Sequence, residues 1–290
     1  MPSVVIAAHN EELVIGATLD SVLAQETAGP IEVIVCANGC TDRTASVASR
    51  PGVVVIDRPE PGKAGALNAG DQAAIGLPRI YLDADIIVPA GGIARLLARL
   101  EDGSGVFAAV PRRQLNLAGR PWPVCAYSMI NERLPVFRNG LFGRGMIALS
   151  AEGRSRFDQF PAMIADDLFL DSLFTDDEKS EADDVLIIVE APYTTRDLLR
   201  RLIRVRRGNT EMRAAGAAGE LGVQVRPAAR WAWLTEVVRR EPRLAPAAIP
   251  YVMFTIAAGL LARRGTPSGQ SWGRDESTRQ KVNSDEGPAS

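Results

Sequence analysis

Two aspartate pairs and one lysine are the residues in this chain whose types and spacing could do chemistry. Asp83 and Asp85 flank Ala84 after the apolar run Ile80-Tyr81-Leu82, and Ile86-Ile87-Val88 follows them. Two carboxylates this close repel each other and lose hydration on burial. A divalent cation would offset both costs, so a metal-bound phosphate site competes with an ordinary strand-to-loop junction. Asp166 and Asp167 precede Leu168, Phe169, Leu170, Leu173 and Phe174, a helical core pattern. The two acids could simply favour a helix N-terminus, or one of them could act as a base. Lys63 sits in Pro61-Gly62-Lys63-Ala64-Gly65, where a cation and the orphan amides of a helix start can face phosphate.

These groups need strands and helices to bring them together. Residues 4–8, 31–36, 53–56 and 80–88 read as strands, and the apolar residues on both sides of Asp83 and Asp85 predict a buried, parallel strand. A helix is expected over 13–23, with Asn10 as its cap and Glu11 and Glu12 in its first turn. Thr41 or Asp42 would cap the helix after the Asn38-Gly39 turn, and residues 89–100 give another helix with an inward stripe. Polar residues gather at the strand-to-helix junctions, which favours one crevice at the carboxyl ends of parallel strands. The segment around Lys63 lacks the Gly-Lys-Ser/Thr ending of a P-loop, and its spacing fails the dinucleotide pattern. His9 reads as an exposed or structurally bonded histidine rather than a base.

Composition narrows the classes. The 290 residues can bury a sizeable core, and 33 Lys and Arg against 35 Asp and Glu give a net charge of -2, which does not favour a nucleic-acid partner. One histidine rules out a His cluster for zinc. Cys36, Cys40 and Cys125 propose no disulfide framework, and Cys36 and Cys40 are expected as packed residues. The N-terminus shows no basic-then-hydrophobic leader, so a cytosolic catalytic domain is expected.

Taken in order, Val5-Ile6-Ala7-Ala8-His9-Asn10-Glu11-Glu12, Asn38-Gly39-Cys40-Thr41-Asp42, Gly62-Lys63-Ala64-Gly65-Ala66-Leu67-Asn68 and Asp83-Ala84-Asp85 resemble the family-two glycosyltransferases. The resemblance continues through Ala165-Asp166-Asp167, Arg204-Val205-Arg206-Arg207-Gly208 and the stretch from Trp272 to Arg279, and so spans nearly the whole chain. It implies an α/β GT-A fold, a Rossmann-like mixed β-sheet flanked by helices. It also implies transfer, with inversion, of a sugar from a nucleotide-diphosphate donor, expected to be UDP-linked, to a hydroxyl of a glycan, lipid-linked or polysaccharide acceptor, with Mg2+ or Mn2+. By the same resemblance Ala8, Asn10, Glu11, Asn38, Asp42, Lys63, Asn68, Asp83 and Ala84 belong to the donor end, and Asp85 is the leading metal ligand. Asp167 takes the base position with Asp166 beside it, while Arg204, Arg207, Trp272 and Arg274 fall on the phosphate or acceptor side. Three departures stand out: Ala37-Asn38 where many relatives carry two acids, Asp166 where glutamate is more frequent, and Gly208 where tryptophan often ends the motif.

The remaining stretches are read more coarsely. Residues 105–110 are expected as a strand, and 111–137 mix Arg112, Arg113, Arg120 and Arg133 with Trp122 and Tyr127 without a clear pattern. A glycine-rich turn precedes a strand within 140–149, residues 175–184 read as a solvated connection, 185–191 as a strand, and 198–213 as an arginine-rich helix. The chain divides into a catalytic domain, 1–215, and a C-terminal helical extension, 216–290. Segment 244–262 carries no charge and is bounded by Arg243 and by Arg263-Arg264. It is either a membrane-contacting segment or a soluble core helix, giving a cytoplasmic protein or one held peripherally or by a single span at the inner membrane. A sugar-phosphate nucleotidyltransferase and a noncatalytic nucleotide-sugar-binding module remain the rival readings.

Overall fold

Four of the apolar runs become adjacent parallel strands. The computed structural model describes residues 1–264 apart from Asp102, Ile164 and Gln224. In its first part β1 (Ser3–Ala8), α1 (Ile15–Leu23), β2 (Glu32–Asn38), α2 (Thr44–Ala48), β3 (Val53–Arg58), α3 (Lys63–Ala73) and β4 (Arg79–Asp83) alternate strand and helix. β1 pairs in parallel with both β2 and β4, and β3 continues the sheet beyond β2. All six residues of β1 are buried. Val4 and Ile6 enter the layer under α1, while Val5 and Ala7 enter the layer under α3. Both faces being covered is why this strand is continuously apolar.

The second part adds α4 (Gly92–Ala98), β5 (Ala108–Asn116), α5 (Trp122–Asn131), α6 (Val136–Asn139), β6 (Met146–Leu149), α7 (Ala151–Arg154), α8 (Asp166–Ser172), β7 (Lys179–Glu190), α9 (Thr195–Ala217) and α10 (Ala245–Arg264). The sheet order is β3-β2-β1-β4-β6-β5-β7, with β6 antiparallel to β4 and β5, so the sheet is mixed as expected. α8 lies on the α3 face through Leu168, Phe169 and Leu170. α5, α9 and α10 share a separate apolar cluster, in which Tyr127 stacks on Tyr251 with ring centroids 5.1 Å apart.

Four local expectations change. The strand expected over 80–88 stops at Asp83, the last residue of β4, and Ala84 and Asp85 lie in a turn beyond it. Asn10 does not cap α1: Val14 occupies that position without a side-chain cap, and Asn10 adopts a left-handed φ of 54° with its Oδ1 accepting the Thr41 amide at 2.8 Å. Glu11 and Glu12 precede α1, which has no acid in its first turn. Residues 175–184 are not a solvated connection. Thr175 and Glu178 form a capping box and β7 begins at Lys179, because an edge strand presents polar side chains without leaving the sheet.

At its far end α3 is fixed to β4 by a buried network. Asp71 receives Arg79 Nη1 at 2.6 Å, the Tyr81 hydroxyl at 2.8 Å and Arg154 Nη2 at 3.2 Å, joining α3, β4 and α7. Between the two ends of the helix, Gly70 packs so tightly on β1 that an added Cβ would fall 2.3 Å from Val5 Cγ1 and 3.1 Å from Cys36 Sγ. Gly70→Ala should therefore lower stability by about 1–3 kcal/mol through overpacking. Urea unfolding with an unmoved midpoint would contradict this packing.

Candidate active site

The site is built around the Lys63 ammonium. Lys63 is the first residue of α3, launched by Gly62 at φ 146°. Its Nζ lies 2.9 Å from Asp83 Oδ1 at the end of β4 and 2.8 Å from Asp166 Oδ2 at the start of α8. Burial alone would depress the ammonium, but Asp166, Asp83 and Asp167 together hold it well above the usual lysine range. The space enclosed by Lys63, Tyr81, Asp83, Gly145, Asp166 and Asp167 is only ≈ 20 Å³. That is room for about one water molecule.

Asp167 faces this group from the first turn of α8. Burial, followed by the neighbouring Asp166 charge, pushes its carboxyl up to about 7 against the pull of Lys63. Its Oδ2 accepts the Gly143 amide at 2.9 Å. One turn later Asp171 grips the same loop: its Oδ1 accepts the Leu141 amide at 3.1 Å and contacts Lys179 Nζ at 3.0 Å, and Arg226 Nε lies 3.1 Å from its Oδ2. The glycine-rich loop is thus fastened to α8 by two carboxylates. Gly145, at φ 69°, accepts the Asp83 amide at its carbonyl at 2.8 Å, and a Cβ there would meet Ile86 at 2.6 Å. A side chain at this position would push the loop off the end of β4.

The loops after β1 and β2 form the rim. Asp42 accepts the Thr44 amide at 3.0 Å and the Glu12 amide at 3.1 Å. Burial opposes its charge, yet these hydrogen bonds and that of the Thr44 hydroxyl keep its carboxyl below the usual aspartate range. The Thr44 hydroxyl receives the amide of buried Glu11 at 2.7 Å, and His9 Nδ1 lies 2.5 Å from the Asn38 carbonyl oxygen. Ala8 ends β1, and buried Ala84 accepts Thr18 Oγ1 at its carbonyl.

Two residues assigned to the donor end by resemblance have their side chains engaged elsewhere. Asn38 is fully buried, donates to the Ala8 carbonyl at 2.7 Å and accepts the Gly62 amide at 3.0 Å, which latches the start of α3 to β1. Asn68 exchanges hydrogen bonds with the Phe160 backbone at 3.0 and 2.7 Å. Both amides sit where backbone groups needed partners, so they support the crevice from behind. Arg204 and Arg207 lie on α9, outside the lining of the Lys63 cavity. Trp272 and Arg274 lie outside the described residues. Cys36 is packed as expected, and burial pushes its thiol up to about 12.

Among the described residues no group of three His, Cys, Asp or Glu converges as a metal site. Asp83 and the exposed Asp85 nevertheless offer carboxylate oxygens at one strand end. That donor set fits Mg2+ or Mn2+, which bind through one or two carboxylates and complete their shell with water and substrate phosphate.

A half-parallel, half-mixed sheet, polar loops at its carboxyl ends and an aspartate pair closing its central strand define a GT-A-like fold. The chain belongs to glycosyl transferase family 2, whose family model matches residues 3–148. It is 37% identical over 121 residues to uncharacterized glycosyltransferases of Mycobacterium tuberculosis and Mycobacterium bovis, a match taking in 42% of this chain and 52% of each relative. The chain therefore matches about half the length of these curated relatives. Among solved structures it resembles a mannosyltransferase from Pyrobaculum calidifontis in complex with GDP-Man and Mn2+, at TM-score 0.60 and 21% identity over 91% of this chain and 76% of that one. It also resembles glucosyl-3-phosphoglycerate synthase from Mycobacterium tuberculosis in complex with Mg2+ and UDP, at TM-score 0.54 and 23% identity over 74% of this chain and 78% of that one. At these identities the likeness establishes the fold.

The raised Asp167 carboxyl makes a prediction about stability. A carboxyl at about 7 in the folded chain, against an ordinary 3.8, binds its proton more tightly when folded. Its stabilising contribution is complete below the ordinary value and is lost as pH rises through about 7. Asp167→Asn should therefore gain stability relative to wild type at about pH 8 compared with about pH 5. Parallel urea-unfolding curves for the two proteins at both pH values would contradict the assignment.

Proposed function

We propose that the chain is an inverting glycosyltransferase that moves a sugar from a nucleotide-diphosphate donor to an acceptor hydroxyl. The observation that carries this reading is the Lys63 ammonium between Asp83 and Asp166, with Asp167 held close to neutral acidity beside them. Family membership supports the reaction class. The ligands bound in the structural relatives, GDP-Man and UDP, support a nucleotide-diphosphate donor without choosing its base.

In this reading the rim loops around Asn10, Glu11 and Asp42 receive the nucleotide, and Asp83 lies beneath the diphosphate. Asp85, with Asp83, would hold Mg2+ or Mn2+, which when bound supplies positive charge to the diphosphate. Lys63 exchanges its contact with Asp83 for the departing phosphate oxygens, where charge accumulates in the transition state. The Gly143 amide keeps Asp167 Oδ2 in place while the other oxygen takes the proton of the attacking hydroxyl. Because that carboxyl titrates at about 7, transfer should rise with pH and level off above that value.

The test is release of nucleoside diphosphate with a panel of UDP-, GDP-, ADP- and dTDP-sugars and glycan or lipid-linked acceptors. Asp167→Asn should cut turnover by about 10²–10⁴-fold while donor affinity stays near wild type. Undiminished transfer by that variant would reject the base, and release of pyrophosphate from a nucleoside triphosphate would favour a nucleotidyltransferase.

We also propose that residues 1–215 form the catalytic unit and that the C-terminal extension meets a lipid surface. The stretch Pro242–Arg263 is long and apolar enough to cross a membrane by length and composition. Along α10, however, Tyr251 and Ala258 are buried against protein, while Ile249, Met253, Ile256 and Leu260 are 64, 66, 56 and 53% exposed. This single outward stripe, with exposed Arg243 before it and Arg263 after it, suits a helix lying in an anionic membrane interface. Wild type should float with anionic vesicles and the pair Ile249→Glu, Met253→Glu should not. Equal flotation of the two would remove the proposal.

A further inference from the structure

One turn of α8 beyond the proposed base, four charges form a group that the proposed chemistry leaves untouched. Asp171 is only 1% exposed. Its Oδ1 lies 3.0 Å from Lys179 Nζ and its Oδ2 lies 3.1 Å from Arg226 Nε. Lys179, the first residue of β7, also reaches Asp176 Oδ1 at 3.1 Å, and Arg226 Nη2 donates to the same oxygen. Two acids and two bases thus close a ring that joins α8, the turn 176–178, β7 and the segment after α9.

An apolar side chain would fill the position of Asp171 on the core stripe of α8 at lower cost, because a buried carboxylate gives up its hydration. What the carboxylate adds is an acceptor for a backbone amide. Leu141 is fully buried, and its amide donates to Asp171 Oδ1 at 3.1 Å. Two residues on, the Gly143 amide donates to Asp167 Oδ2 at 2.9 Å. A shift of Leu141 therefore carries with it the donor that orients Asp167.

The counter-charge on Asp171 is delivered by a strap. Leu221, Val223 and Val225 pack on the apolar cluster that contains Phe169 and Leu170. A Cβ on Gly216 would lie 2.5 Å from Val225 Cγ2, so the strap sits tightly against the end of α9. Arg213 Nε donates to the Arg226 carbonyl at 3.0 Å, which fixes the backbone from which the guanidinium extends. We infer that Arg226 and Asp171 are positioning residues for the transfer: Arg226 neutralises Asp171, Asp171 holds the Leu141 amide, and the loop so held presents the Gly143 amide to Asp167. Neither residue touches the substrate. The inference rests on the reading of Asp167 as the base, and it brings one support of the catalytic unit from beyond residue 215.

The experiment is amide hydrogen exchange, read by mass spectrometry on the full chain, for wild type, Arg226→Gln and Arg226→Lys. In Arg226→Gln the peptide spanning Leu141 to Gly145 should exchange about tenfold faster, the weight of one charged hydrogen-bonding partner, while peptides from β1 and β4 exchange as in wild type. Arg226→Lys keeps the charge and should restore most of the protection. In the same proteins, release of nucleoside diphosphate should lose about tenfold in kcat for Arg226→Gln with the donor KM unmoved. That loss should disappear in the Asp167→Asn background, because the two residues act on one proton transfer. Unchanged exchange of the loop in folded Arg226→Gln, faster exchange spread evenly over the chain, or a tenfold loss that persists in the Asp167→Asn background would each overturn the assignment. A wild type that releases no nucleoside diphosphate from any donor would count against the base itself, and the exchange of the loop would then decide whether Arg226 holds it.

Discussion

One ammonium group holds the two halves of the site together. Lys63 contacts a carboxylate at the end of β4 and another at the start of α8, elements separated by about eighty residues of chain. Without that charge Asp83, Asp166 and Asp167 would share a partly buried space with only one another, and their repulsion would drive α8 from the sheet or force them to bind protons. The position of α3 therefore matters more than its length. Its start is latched by Asn38 to Gly62, its middle rests through Gly70 on β1, and its far end is fixed through Asp71 to Arg79 and Tyr81.

The same economy of contacts sets up the opposite side. Asp167 and Asp171, one helical turn apart, both accept amides from the loop between Leu141 and Gly143. Arg113 then binds the other end of the Gly143 residue. The proposed base is thereby held by a helix and a loop at once, while its own ionisation is resisted by burial and by Asp166. A carboxyl so placed stays close to the acidity at which it can both take and release a proton near neutral pH. Arg226 brings the segment after α9 onto Asp171, so that segment also touches the support of the site.

Much of this was readable in the chain. Continuous apolar runs identified β1 to β4 because both sheet faces are covered, and the acids at 83, 166 and 167 mark a strand end and a helix start, whereas Asp85 lies in the turn beyond β4 rather than in the strand expected to continue to 88. Side-chain direction was not readable. Asn10 has the composition of a helix cap, yet a left-handed backbone turns it toward Thr41. Asn38 and Asn68 look like ligand contacts by type but answer to backbone groups that only the fold brings near. The alternating acids of residues 179–184 belong to an edge strand, where one side faces water. Asp171 is hidden inside an apolar helical pattern. A lone acid on the buried stripe was the available signal, since a charge there needs partners.

The central claim is that Asp83 and Asp85 face the diphosphate of a sugar donor while Lys63, held on α8 through Asp166, turns from Asp83 to the phosphate. An anomalous-difference map from crystals grown with manganese and UDP tests it most directly. The account predicts a manganese peak bonded to the Asp85 carboxylate and to the diphosphate, with Lys63 Nζ still on Asp166. A diphosphate bound elsewhere on the chain, with Asp83 and Asp85 touching neither metal nor phosphate, would contradict it.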